Sequence, residues 1–266
     1  MPMNPRLLRP RASGYTARDA DARVYINAVQ TADGRRLEDG VARAIDNFII
    51  GCKADGIWSA IKASCILMGA RTLSGALTPL VGSAPTNNNF VSGDYNRETG
   101  LIANGSTKYL DSNRNNNASP QDSAHLAVFV GEAIVGDTSS RAIIGTPNAT
   151  GSSALIKGST GNVLQTRLKN NAASLSATSM AGYSGFVGAS RSVSASYAAR
   201  ISGANSTVSV ASSANQDASV LVYAFSPTAI TGNMRLAFYS IGESLDLALL
   251  DSRLTTLYTA IGAAIP

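Results

Sequence analysis

The stretch His125-Leu126-Ala127-Val128-Phe129-Val130 reads as a β-strand and sets the fold class. Leu126, Val128 and Val130 fall on one side and His125, Ala127 and Phe129 on the other, the two-residue period of a strand between core and surface. Around it, from Leu73 onward, Gly, Pro and Asn punctuate the chain about every eight to twelve residues, the spacing of an all-β sandwich or barrel. Strands are predicted at Phe90–Val91, Gly100–Ala103, Lys108–Ser112, His125–Val130, Arg141–Ile144, Ser153–Ile156, Val163–Leu168, Gly185–Arg191, Ser194–Ile201, Thr207–Ala211, Ser219–Ser226 and Met234–Ile241.

Helical periodicity flanks this region. Asp19 to Asp33 starts on a capping Asp and ends before Gly34. Leu37 to Ala54 carries a stripe of Val41, Ile45, Phe48, Ile49 and Cys52. A third helix is predicted from Ile57 to about Met68, with Trp58, Ile61 and Cys65, and Trp58 is expected to anchor the resulting three-helix lobe. Ser244 to Ile261 returns to helical period, with Leu245, Leu249, Leu250, Leu254, Leu257 and Ile261, and should close against the sandwich. The expected architecture is mainly β: an antiparallel jelly-roll β-sandwich, preceded by a small α-helical lobe and closed by a C-terminal helix. The domains read as an extended basic arm over 1–18, a helical docking lobe over 19–72, and the jelly roll over 73–266 with its helix at 244–262.

Composition restricts the chemistry. The chain has 266 residues, one His, two Cys and 15% charged residues, and from about Asn87 to Ala218 it is rich in Ser, Asn, Gly, Ala and Thr. Most routes to proton transfer, metal hydrolysis or nucleophilic catalysis lack their parts here. The net charge of +5 arises partly from Arg6, Arg9, Arg11 and Arg18, set among Pro2, Pro5 and Pro10. That arm is expected to pin the protein to a neighbouring protein. A nucleic-acid surface would need a wider field of Lys and Arg with interleaved aromatics, which argues against DNA or RNA. No apolar run approaches the ~20 residues of a membrane-spanning helix, and the N-terminus lacks a secretory pattern. Synthesis in a cytosol follows, with Cys52 and Cys65 reduced, buried and inert on adjacent helices.

Two sets of segments carry a resemblance. One is Ala44 to Leu73, followed by Asn89-Phe-Val-Ser-Gly-Asp-Tyr-Asn-Arg97 and Gly105-Ser-Thr-Lys-Tyr-Leu-Asp-Ser112; the other is Met234-Arg-Leu-Ala-Phe-Tyr-Ser-Ile-Gly-Glu-Ser-Leu245 leading into the final helix. Together they resemble tailed-phage and prophage virion structural proteins with a concanavalin-like, laminin-G-like jelly roll. The resemblance covers the first third and the last thirty residues, and the middle in style only. It implies a tail-tip or fibre component or a capsid decoration, made in the host bacterial cytoplasm and assembled into the virion. It also implies other virion proteins as partners, a homo-oligomer that is a trimer by analogy, and host surface glycan as a further partner. It transfers no binding site.

The candidate constellations are few. Asp111 to Asp122 places oxygen side chains at calcium-loop spacing, but Asn116 stands where a Gly is needed and only two carboxylates are present, so a polar turn is the better reading. Asp94, Glu98, Glu132 and Asp137 show no pairing of the kind a glycosidase uses. Gly182 to Gly188 resembles a Gly-rich loop but lacks the Lys and the strand–helix context for phosphate. The best binding clue is aromatic: Tyr95, Tyr109, Tyr183 and Tyr197 lie at or near turns and are the candidate glycan or partner contacts. No catalytic residue, metal or cofactor is expected. The alternative is a glycan-acting enzyme or calcium-dependent lectin on the same fold.

Overall fold

The computed structural model describes residues 14–133, 136–172, 174–229 and 231–266. The helices are α1 (Ala20–Asp33), α2 (Asp39–Ala54), the short α3 (Leu73–Ala76) and α4 (Leu247–Ala264). The strands begin with β1 (Ile61–Ile66), β2 (Thr86–Asn88), β3 (Tyr95–Asn96), β4 (Gly100–Ile102) and β5 (Tyr109–Asn115). They continue with β6 (Ala124–Glu132), β7 (Arg141–Gly145), β8 (Ser152–Lys157), β9 (Val163–Asn170) and β10 (Ser174–Ser179). The last are β11 (Gly185–Arg191), β12 (Tyr197–Ile201), β13 (Ala204–Val208), β14 (Ser219–Val222) and β15 (Arg235–Gly242). The first sheet runs β13-β12-β11-β6-β15-β4-β3, with β1 also paired to β15; the second runs β10-β9-β8-β7-β14-β5-β2. Every described pairing is antiparallel. The chain is thus a mainly β jelly-roll sandwich with an N-terminal helical part and a closing C-terminal helix.

The helices form a third layer. Leu126, Val128 and Val130 of β6 join Leu101, Leu155, Val187, Val222 and Tyr239 in a core between the sheets. Ala127 and Phe129, on the opposite face, pack with Phe186 and Phe238 under α1, α2 and α4. The alternation in β6 is as expected, but both faces are buried, so this strand lies between two cores and not between core and surface. Phe48 of α2 meets Phe238 edge-to-face at 5.9 Å, and Tyr258 of α4 stacks on Phe129 at 4.8 Å. Such aromatic pairs add specificity beyond the area they bury.

The third helix predicted over 57–68 is absent. Trp58–Ala60 make a single 3-10 turn, and the chain then enters β1, which pairs with β15 through Cys65 opposite Tyr239 and Ile66 opposite Phe238. Ala63, Cys65 and Leu67 enter the inter-sheet core, while Ile61, Ile66 and Met68 pack beneath the helices. A strand apolar on both faces shows no two-residue period, and its residues imitate a helical stripe. Two helices therefore precede the sheet, and Cys65 sits on a strand. Both cysteines are free and buried, with burial pushing each thiol up to about 12. Trp58 is half-buried at the edge of the helical layer, with the Lys53 ammonium 5.8 Å from its ring centre.

Local chemistry defines the helix ends. Asp19 accepts the Asp21 and Ala22 amides at the start of α1, and Gly34 ends it at φ 63°, a conformation that costs glycine nothing. Buried Asp46 on α2 accepts the Tyr15 hydroxyl and the Arg18 and Asp19 amides, which ties the incoming chain to the helical layer. Asp246 accepts the Ala248 and Leu249 amides at the start of α4. Asp246→Ala should lower stability by about 1 kcal/mol; urea denaturation at neutral pH measures it, and an unchanged midpoint would show that the cap contributes nothing.

Candidate functional site

Helix α4 crosses the outer face of the first sheet over β11 and leaves the outer face beyond it partly uncovered. In register, Ala198 lies opposite Thr207 and Arg200 opposite Asn205, so Asn205 and Thr207 of β13 share the face of Ala198. Ala198, Asn205 and Thr207, with Ser190, Ser192, Ser196 and the segment Ser244 to Leu247, line a groove of about 500 Å³. Its wall at 244–247 is fixed by Ser190, whose hydroxyl donates to the Leu245 carbonyl and accepts the Leu245 amide. The opposite wall is held from inside by Arg191, which donates to the Val193, Ser194 and Ser196 carbonyls. The Arg200 guanidinium is neutralised by Asp251 at 2.8 Å and donates to Asn205 Oδ1 at 3.0 Å.

The hydroxyls of Ser192, Ser196 and Thr207 and the Nδ2 group of Asn205 make no hydrogen bond to any described group, so they are free to bind a ligand. Asp246 is the one side chain in the lining that is charged at neutral pH, and its Oδ1 is occupied by the helix cap. A groove of neutral donors and acceptors beside Val193, Ala198 and Leu247 suits an uncharged polar ligand with apolar edges.

The four tyrosines lie apart. Tyr95 donates to the Ala70 carbonyl, and its body packs against both cores. Tyr109 lies on β5 of the second sheet, half-buried. Tyr183 donates to the Phe186 carbonyl and borders a separate hollow with Asp251 and Tyr258. Tyr197 reaches the groove, but it is only 3% exposed; its hydroxyl bonds Thr166 and its ring lies 5.0 Å from the Arg191 guanidinium. Ser192, Ser196, Asn205 and Thr207 were not singled out by sequence reasoning, because a Ser- and Asn-rich strand looks the same at any sheet edge. Of the arm arginines, Arg18 bonds Asp46 and Asn47 with its side chain still 64% exposed. Arg6, Arg9 and Arg11 lie outside the described residues.

Of the candidate acids Asp94, Glu132 and Asp137 sit in ion pairs, whereas Glu98 is exposed and its carboxylate pairs with no described residue; the histidine is buried. Lys108 pairs with Asp94 at 2.5 Å and Arg235 with Glu132 at 2.8 Å. Arg141 holds the Asp137 carboxyl far below the usual range. His125 is buried between the Glu243 carbonyl and the Ser240 hydroxyl, and burial pushes it down to about 4. Asp111 accepts from the Asn113 amide and from Ser219, whereas Asp122 accepts from Ser212; Asp111 to Asn115 belong to β5, and the turn expected over 111–122 is confined to the residues after Asn115. Asn113 takes φ 53°, which Asn tolerates. Among the described residues no cluster of His, Cys, Asp or Glu could hold a metal ion, and no described helix is long and apolar enough to cross a membrane.

No family model matches the chain, and no curated protein matches it. Solved structures do share its fold. The chain is similar to botulinum neurotoxin type C, whose cell entry depends on interaction with two ganglioside molecules, at 14% identity and TM-score 0.50, covering 76% of this chain and 51% of that one. It is similar to Trypanosoma rangeli sialidase at 9% identity and TM-score 0.50, covering 82% of this chain and 39% of that one. The chain spans about half or less of the length of these structures. At such identities the likeness establishes a β-sandwich fold and nothing finer.

Proposed function

We propose that this protein is a non-enzymatic structural component of a tailed-phage virion, a tail-tip, fibre or capsid-decoration protein. It attaches to the particle through its N-terminal arm and helices and presents the jelly roll for contact with host glycan or protein. The observation that carries the binding half is the groove of about 500 Å³ with unpaired hydroxyl and amide groups beside β13. Sugars offer the complementary hydroxyls and apolar ring edges. Cell entry of the toxin neighbour depends on interaction with two ganglioside molecules, which supports glycan as the ligand class. The virion half rests on the sequence resemblance of Ala44 to Leu73 and Met234 to Leu245. Low charge on the strand faces favours packing between copies, as a homo-oligomer and by analogy a trimer.

Purified full-length protein, tested on a panel of immobilised bacterial surface glycans, should be retained on at least one. A variant carrying Ser196→Ala, Asn205→Ala and Thr207→Val should lose about tenfold in affinity, roughly the loss of one or two ligand hydrogen bonds. Its urea midpoint should stay near that of the wild type, because these positions are at or near the surface. Retention unaffected by the triple substitution would move the site off the groove, and no retention on any glycan would leave particle attachment as the protein's role.

A further inference from the structure

Four arginines at one corner of the molecule differ from every other described base. Elsewhere the cationic heads are engaged, as Lys53 is by Asp19 and Asp21, Arg253 by Asp55, and buried Lys169 by the Ser119 carbonyl. Arg35 and Arg36 in the α1–α2 turn, and Arg43 on α2, make no hydrogen bond or ion pair from their guanidinium groups to any described oxygen. Arg23 on α1 reaches only the Ala17 carbonyl, at 3.4 Å, and Arg43 lies 5.2 Å from the Tyr15 ring centre. Arg23, Asn27 and Gln30 follow helical spacing on one face of α1, and with Arg35, Arg36 and Tyr15 they line a groove of about 610 Å³.

Nearby acids do not cancel this charge. Glu38 is held between Arg71 and Arg97, Asp33 accepts the Arg71 and Thr72 amides, and Asp39 accepts the Tyr15 amide. Residues 1–13 contain three arginines and no acid, so that segment offers no carboxylate to neutralise these bases. A second copy is a poor occupant: past Asp55, no two carboxylates lie closer than three positions in the sequence. Single-stranded nucleic acid needs aromatic faces on which bases stack. Tyr15, the one aromatic in the lining, is covered by Arg43 and bonded to Asp46.

We infer that this groove docks an acidic polypeptide segment of a neighbouring protein, its carboxylates supplying the anionic partners that Arg23, Arg35 and Arg36 do not find among the described residues. The inference rests on the docking half of the proposed function and names the chemistry of the docking partner. Asn27 and the Gln30 amide nitrogen would hydrogen-bond the segment's backbone.

The test uses full-length protein and fluorescence anisotropy with a labelled alternating Glu-Ser peptide of about ten residues, a Gln-Ser peptide and an oligo-dT strand as probes. The Glu-Ser peptide should bind, and the Gln-Ser peptide should not. Binding should weaken about tenfold in an Arg23→Gln/Arg35→Gln/Arg36→Gln variant and again as ionic strength rises from about 0.05 M to about 0.3 M. Deletion of residues 1–13 should change it by less than about threefold, since groove charges and not the arm dominate at contact distance. The inference is overturned by absence of peptide binding, by a triple variant that binds as the wild type does, or by oligo-dT binding more tightly than the peptide. A double Arg35→Gln/Arg36→Gln variant, confined to the exposed turn, keeps the test decisive should the triple variant misfold. Attachment to particles stripped of this protein is scored separately: attachment without peptide binding defeats the groove alone, and peptide binding without attachment defeats the virion reading alone.

Discussion

Arg191→Met is expected to lower the unfolding free energy by about 4 kcal/mol, the range for stripping a buried charge-satisfied network of its centre. Arg191 is fully buried, and among the described residues no carboxylate forms an ion pair with it. Its Nε donates to the Leu168 carbonyl at 2.9 Å, its Nη1 to Val193, Ser194 and Ser196 at 3.2, 2.9 and 3.2 Å, and its Nη2 to Val210 at 3.0 Å. A guanidinium group is a planar fork of N–H donors, and these five carbonyls converge on it from β9, from the turn between β11 and β12, and from the chain after β13. Methionine fills much of the volume but removes the guanidinium donor from all five; Ser194 keeps the Ser212 amide and Leu168 the Asn170 side-chain amide, while Val193, Ser196 and Val210 are left without a described donor, at about 1–3 kcal/mol for each carbonyl that water cannot reach. Arg191→Lys should recover only part of the loss, because an ammonium offers three donors from a single point. Urea denaturation at neutral pH is the measurement; a loss under about 1 kcal/mol would show that the turn satisfies its carbonyls by other means. The same turn forms a wall of the groove beside β13, so both variants should also bind the groove's ligand more weakly.

The second large effect is one of pH. The Glu243 carbonyl can only accept, so the His125 Nδ1 carries the proton and Nε2 accepts from the Ser240 hydroxyl. Burial, with a smaller contribution from the Arg114 charge, pushes His125 down to about 4 and keeps the folded ring neutral. The unfolded chain protonates its histidine near pH 6.5, so between the two values it binds a proton that the folded protein does not. Stability should therefore fall as pH drops from about 6.5 to about 4, by about 3 kcal/mol in total. The Asp137 carboxyl, held low by Arg141, stabilises the fold above the ordinary carboxylate range, and that contribution is lost only at more acid pH. The two windows can thus be separated. Urea titrations at several pH values across the histidine window should show the slope in the wild type and a flat line in His125→Asn. An equal slope in both would assign the acid sensitivity to carboxylates.

Much of the molecule could be read from local pattern. Asp19 and Gly34 frame α1, the Val41–Cys52 stripe lies on α2, and the leucines after Asp246 form α4, because caps and a 3.6-residue period are properties of short segments. The β6 alternation named the right residues for each face. What covers those faces was not legible. Ala127 and Phe129 look like a surface row until α2 and α4 are laid over them, and β1 looks like a helix until it pairs with β15, about 170 residues later in the chain. Tyr197 illustrates the same limit: its position in β12 turns it inward onto Thr166, beneath a guanidinium that local sequence could not place there.

The sequence by itself determined the class of the protein, an antiparallel β-sandwich with helices before and after it and buried thiols, since periodicity, turn residues and composition act over a few residues at a time. The tertiary structure alone decided that the helices form a third layer, that β13 borders a groove of unpaired hydroxyls, and that Arg23, Arg35, Arg36 and Arg43 stand uncompensated at one corner. Those features depend on which distant segments pair and which charges find partners, and the energy of such contacts is set by burial and proximity in space, to which neighbours in sequence contribute little.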